Sequence, residues 1–80
     1  PMSETHVKGE MHGCIVCGRL YQLYVVYDNQ GKFIDSKVMS EGGRRVNDPR
    51  RPLVACESHS EAEVEAAVVR VYGEQKEDED

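Results

Sequence analysis

Residues 19–27 read Arg-Leu-Tyr-Gln-Leu-Tyr-Val-Val-Tyr, a run rich in β-branched and aromatic types that predicts a strand. Asp28-Asn29-Gln30-Gly31 is turn chemistry, with Gly31 available for a left-handed position. Residues 32–39 predict the returning strand of an antiparallel hairpin. Period two places Tyr21 and Tyr27 on one face of the first strand and Tyr24 on the other. On the second strand it groups Ile34 with Val38, and Phe33 with Asp35, Lys37 and Met39. Leu53-Val54-Ala55 predicts a brief strand. Ser58 with Glu61 and Ser60 with Glu63 both match a helix capping box. Val64, Ala67, Val68, Val71 and Tyr72 then form one helical stripe, which Gly73 ends.

The remaining stretches lack such periods. Residues 1–11 are polar, and residues 74–80 hold five acids against Lys76; both are expected to be disordered. Pro1 ahead of Met2 reads as a remnant of cloning. Residues 40–52 (SEGGRRVNDPRRP) predict a loop, opened by Gly42-Gly43 and stiffened by Pro49 and Pro52. The expected unit is one small α+β domain over residues 12–73: a knuckle, a hairpin, a short strand and a C-terminal helix.

Composition sharpens this picture. The chain has 80 residues, and about 60 of them form the expected ordered part, a size at which burial alone gives marginal stability and a metal is a common remedy. No apolar run reaches the length of a membrane span, and residues 2–13 lack the apolar core of a secretory signal. With three cysteines, any intramolecular disulfide scheme leaves one over, so a reducing, cytoplasmic compartment is expected. A net charge of −5 argues against bulk electrostatic attraction to nucleic acid.

All three cysteines lie in two short motifs, Cys14-Ile15-Val16-Cys17-Gly18 and Cys56-Glu57-Ser58-His59. Two thiolates separated by two residues grip one ion only if the backbone turns tightly, and a glycine after the second cysteine permits that turn. Cys14, Cys17, Cys56 and His59 thus make a Cys₃His set for one structural Zn²⁺ per chain. The competing readings are a thiol redox pair and unligated buried thiols. A redox pair opens a helix, whereas a strand follows here. His12, two residues before Cys14, is an alternative ligand to His59.

Cys-x-x-Cys-Gly, the hairpin, and a Cys-x-x-His opening a helix together resemble a treble-clef zinc finger over residues 14–73. The resemblance is architectural. It implies a closed structural zinc site and leaves the function open, because such fingers do many unrelated jobs. Some treble-clef-like sites belong to nucleases, but these need a further catalytic histidine and an exposed metal. An enzyme is therefore not expected.

The 40–52 loop carries Arg44, Arg45, Arg50 and Arg51. Two arginine pairs can clamp phosphates or an acidic protein surface. They can equally offset the acids of the same chain. The expected function is a non-enzymatic, zinc-stabilised module docking on a partner protein, in the setting of a nucleic-acid machine. Direct nucleic-acid binding through the arginine loop, aided by a stacking tyrosine, is the alternative. Neither membrane attachment nor a particular oligomeric state is read from the sequence.

Overall fold

The computed structural model describes residues 4–74. The elements are β1 (Thr5–Gly13), β2 (Leu20–Asp28), β3 (Phe33–Val38), β4 (Gly43–Val46), β5 (Leu53–Cys56) and α1 (Glu61–Tyr72). Strands β1, β2 and β3 form an antiparallel sheet in that order, and β4 pairs with β5 in a second, two-stranded sheet. The result is the small α+β domain expected, with a Cys₃His cluster at its seam.

The hairpin forms where its residues predict. The Asp28 carboxylate accepts from the N–H groups of Gln30 and Lys32, and Gly31 takes φ +85°, which closes the turn. Tyr21, Leu23 and Val25 alternate inward and are buried, whereas Tyr24 is exposed. On β3 the simple alternation fails. The register pairs Val26 with Asp35 but Tyr27 with Phe33, so Ile34 is an extra, bulged residue. The bulge flips the parity of the strand. Phe33, Ser36 and Val38 turn inward, and Ile34 is left exposed, contrary to the grouping of Ile34 with Val38.

Residues 5–11, expected to be disordered, instead join residues 12 and 13 in β1, which runs along the whole of β2. Backbone pairing replaces the missing apolar period: no residue of β1 is fully buried. Its inner face is polar, with Glu10 and His12 half-buried opposite Leu23 and Tyr21. Val7 and Met11 face outward. The expected disordered tail begins at Glu74, and its residues 75–80 lie outside the described residues, as does Pro1.

The 40–52 segment is likewise not all loop, since β4 pairs Gly43 with Cys56 through to Val46 with Leu53. This ladder brings β5 alongside the larger sheet. Tyr21, Leu23 and Val25 from β2 meet Val54, Ala55 and Cys56 from β5 and Val64 from α1 in one core.

The helix is capped by Ser60 rather than Ser58. The Ser60 hydroxyl accepts from the Glu63 N–H, while the Ser60 N–H donates to the Glu63 carboxylate. At the other end, the Gly73 N–H donates to the Val69 carbonyl with φ +82°. Only the first half of the predicted stripe packs: Val64 and Ala67 are buried, but Val71 and Tyr72 are exposed. The Arg51 guanidinium stacks 3.9 Å above the Tyr72 ring.

Candidate metal centre

The link between β1 and β2 is a tight knuckle. The Cys14 N–H donates to the Arg19 carbonyl, and the Gly18 N–H donates to the Cys14 carbonyl with Gly18 at φ +83°. The Ile15 N–H donates to the Val54 carbonyl at 2.9 Å, which ties the knuckle to β5 and hence to Cys56. Cys56 ends β5, and the His59 N–H donates back to its carbonyl at 3.2 Å. Neither residue is helical, because α1 begins at Glu61. The second ligand pair thus sits on a turn just before the helix, whose cap is Ser60, the later of the two caps the sequence offers.

This arrangement gathers the ligand atoms of Cys14, Cys17, Cys56 and His59 within 4.8 Å of one another. The sulfurs of Cys17 and Cys56 are 3.6 Å apart. His12 stands outside the group, its Nε2 lying 2.6 Å from a Glu10 carboxylate oxygen.

Electrostatics favours a cation among these atoms. Burial opposes ionisation of Cys14, but N–H groups of Cys17, Cys56 and Val16 outweigh it and draw the thiol down to about 6. These donors lie 3.3–3.4 Å from its sulfur. Next to it, the Arg19 N–H favours ionisation of Cys17, yet the neighbouring Cys56 and Cys14 sulfurs prevail and raise its pKa. Several thiolates this close cannot all carry charge unless a positive ion compensates them. His59 gives the same indication. Its Nε2 is the only buried side-chain nitrogen or oxygen among the described residues that lacks a hydrogen-bond partner. An orphaned imidazole nitrogen beside three thiols is what a metal would satisfy. Its Nδ1 lies 3.6 Å from Glu63, an acid placed to orient the ring. The residues fit a metal ion.

Tyr21 completes the surroundings. Its hydroxyl donates to the Cys56 sulfur at 3.0 Å, and this bond, with burial, pushes its own ionisation up to about 12. The ring lies against Gly43, where an added Cβ would stand 2.7 Å from Tyr21 Cδ1. The period of the strand puts Tyr21 on the face opposite Tyr24 but says neither which face is inner nor that Tyr21 meets Cys56, thirty-five residues away. The neighbouring glycines Gly42-Gly43 were the one trace of that contact.

The four arginines do not converge on one surface. Arg44 and Arg45 are adjacent on β4 and turn to opposite sides, Arg44 to Glu61 at 3.2 Å and Arg45 to Asp35 at 3.1 Å. Arg51 pairs at 3.2 Å with Asp48, a buried carboxylate that also accepts from the Arg50 N–H.

No family model, curated protein or solved structure matches this chain.

Proposed function

We propose that this chain is a non-enzymatic, zinc-stabilised module that docks on a partner protein. Three thiols and one imidazole are the donor set of a closed structural zinc site, in which four protein ligands leave no position for substrate. In finer terms the architecture reads as treble-clef-like, with the helix following the second ligand pair. Unpaired thiols suit a reducing, cytoplasmic setting.

The observation that carries the docking reading is the outer face of the three-stranded sheet. Val7, Met11, Leu20, Tyr24 and Met39 are 44–63% exposed on or beside that face. Apolar side chains grouped on one sheet face mark an interaction surface, whereas scattered ones need no explanation. Direct nucleic-acid binding has less support, since Arg44, Arg45 and Arg51 already hold acids of the same chain.

A photoreactive residue at Tyr24, compared with one at Arg50, tests this reading in cells. Crosslinking from position 24 to one discrete protein is expected. Nucleic-acid adducts from position 50, with none to protein from position 24, would replace it by the alternative.

A further inference from the structure

Strand β1 is nine residues long and pairs with β2 on one side. Its other edge has no strand beside it among the described residues. Edges of this length are normally blunted by proline, a bulge, a covering segment or charged side chains, and the charged residues of β1 are Lys8 and Glu10, opposite in sign. β1 contains no proline, and its register with β2 is unbroken.

The direction of its backbone groups follows from the ladder. Cys14 donates to Arg19, and that pair continues the β1–β2 register by one step. Hydrogen-bonded pairs recur at every second residue of an antiparallel ladder, so His12, Glu10, Lys8 and His6 turn their N–H and C=O groups toward β2. Val7, Gly9 and Met11 therefore turn theirs to the free edge. The acceptance of the Met39 N–H by the Gln22 carbonyl agrees, because it turns Gln22, opposite Met11, toward β3.

Around Gly9 the sequence His6-Val7-Lys8-Gly9-Glu10-Met11-His12 is complementary to its own reverse. Reversal sets Lys8 against Glu10, Val7 against Met11 and His6 against His12. We propose that two copies of this chain pair antiparallel through the free edges of β1, with the two-fold axis through Gly9, so that their sheets become one.

That register satisfies each requirement of a two-fold strand pair at once. The outward N–H and C=O groups of Gly9 bond to those of its counterpart, and those of Val7 bond to those of Met11 in the second copy. Lys8 faces Glu10 of the second copy at the closely spaced, non-hydrogen-bonded position, twice by symmetry. On the opposite face Val7 meets Met11. Both are now more than half exposed, at 60% and 58%. Gly9 puts no side chain on the axis, and the Tyr24 ring lies in ordinary van der Waals range, 3.7 Å from where a Cβ would stand. A shift of register by two residues would lose the Lys8–Glu10 match. The pairing also carries the apolar outer face of each sheet continuously across the axis.

Sedimentation velocity of the full metal-loaded chain over a concentration series tests this. The wild type is expected to dimerise. Lys8→Glu alone and Glu10→Lys alone each set like charges opposite one another twice, and should weaken the dimer by about tenfold or more. Because Glu10→Lys also removes the acceptor of the Tyr27 hydroxyl, its result counts only where the Lys8 and His12 amides that face β2 stay protected. Mixing the two variants makes both cross-strand pairs opposite in charge again, and should restore a mixed dimer. Hydrogen exchange on the wild type needs no variant: the Val7, Gly9 and Met11 amides should become protected as concentration rises. A monomeric wild type, outward amides that exchange freely at every concentration, or a dimer indifferent to both single changes would overturn the proposal. So would a mixture that stays monomeric while both variants retain the wild-type circular dichroism.

Discussion

At Gly43 a single methyl group decides whether Tyr21 can reach the metal centre. The ring occupies the space a Cβ would need, and its hydroxyl ends on the Cys56 sulfur. Gly43→Ala must displace either the ring or β4, and should lower stability by about 1–3 kcal/mol, read as a reduced denaturation midpoint. Tyr21→Phe keeps the ring and removes only the donor. Its expected effect is a roughly tenfold loss of zinc affinity in competition with a chromophoric chelator, with little change in circular dichroism. The ligands themselves should behave differently. Native mass spectrometry is expected to find one zinc per wild-type chain, and a much smaller metal-bound fraction in Cys56→Ser and His59→Ala. An equally loaded His59→Ala would transfer the fourth position to another group.

Among the elements, α1 and β1 are held by opposite means. The helix carries its own start signal, and Ser60→Ala should cost about 1 kcal/mol by thermal or chemical denaturation. β1 instead depends on the sheet and on a small polar cluster. The Tyr27 hydroxyl donates to one Glu10 oxygen at 2.6 Å, and His12 approaches the other. The Tyr27 bond is the main reason that the Glu10 pKa lies below its ordinary value of 4.5, against the opposing effect of burial. A carboxyl lowered on folding contributes stability that is full above its unfolded value and lost as pH falls through the folded one. Acidification below about 4.5 should therefore weaken the attachment of β1. Tyr27→Phe, already lacking the bond, should show a shallower loss in exchange of the β1 amides.

The whole molecule has little apolar volume to rely on. Leu23, Val25 and Val54 are the largest fully buried side chains among the described residues, and the core joins two small sheets to one helix. The four residues positioned to hold a metal lie where these parts meet, on the knuckle before β2 and on the turn between β5 and α1. Metal binding free energy in such a domain is largely folding free energy. Chelation should abolish the near-ultraviolet tyrosine signal in one cooperative transition, and added zinc should restore it. Retention of tertiary structure in excess chelator would show that the core suffices without the ion.

The ligand set, the β2–β3 hairpin and the limits of α1 were legible in the chain because each depends on neighbours close in sequence: Cys-x-x-Cys-Gly, Asp-Asn-Gln-Gly, Ser60 with Glu63, and Gly73. Other features were decided only by tertiary structure. β1 and β4 are strands because their backbones complete a ladder, which requires no apolar period in their side chains. The bulge at Ile34 reverses the inward face of β3, a change of register that alternation alone cannot disclose. The choice of His59 over His12, the contact of Tyr21 with Cys56 and the pairing of Arg44 and Arg45 with acids elsewhere in the chain are also tertiary. Composition supplied the charges and the donors. Their partners were set by which strands came to lie side by side.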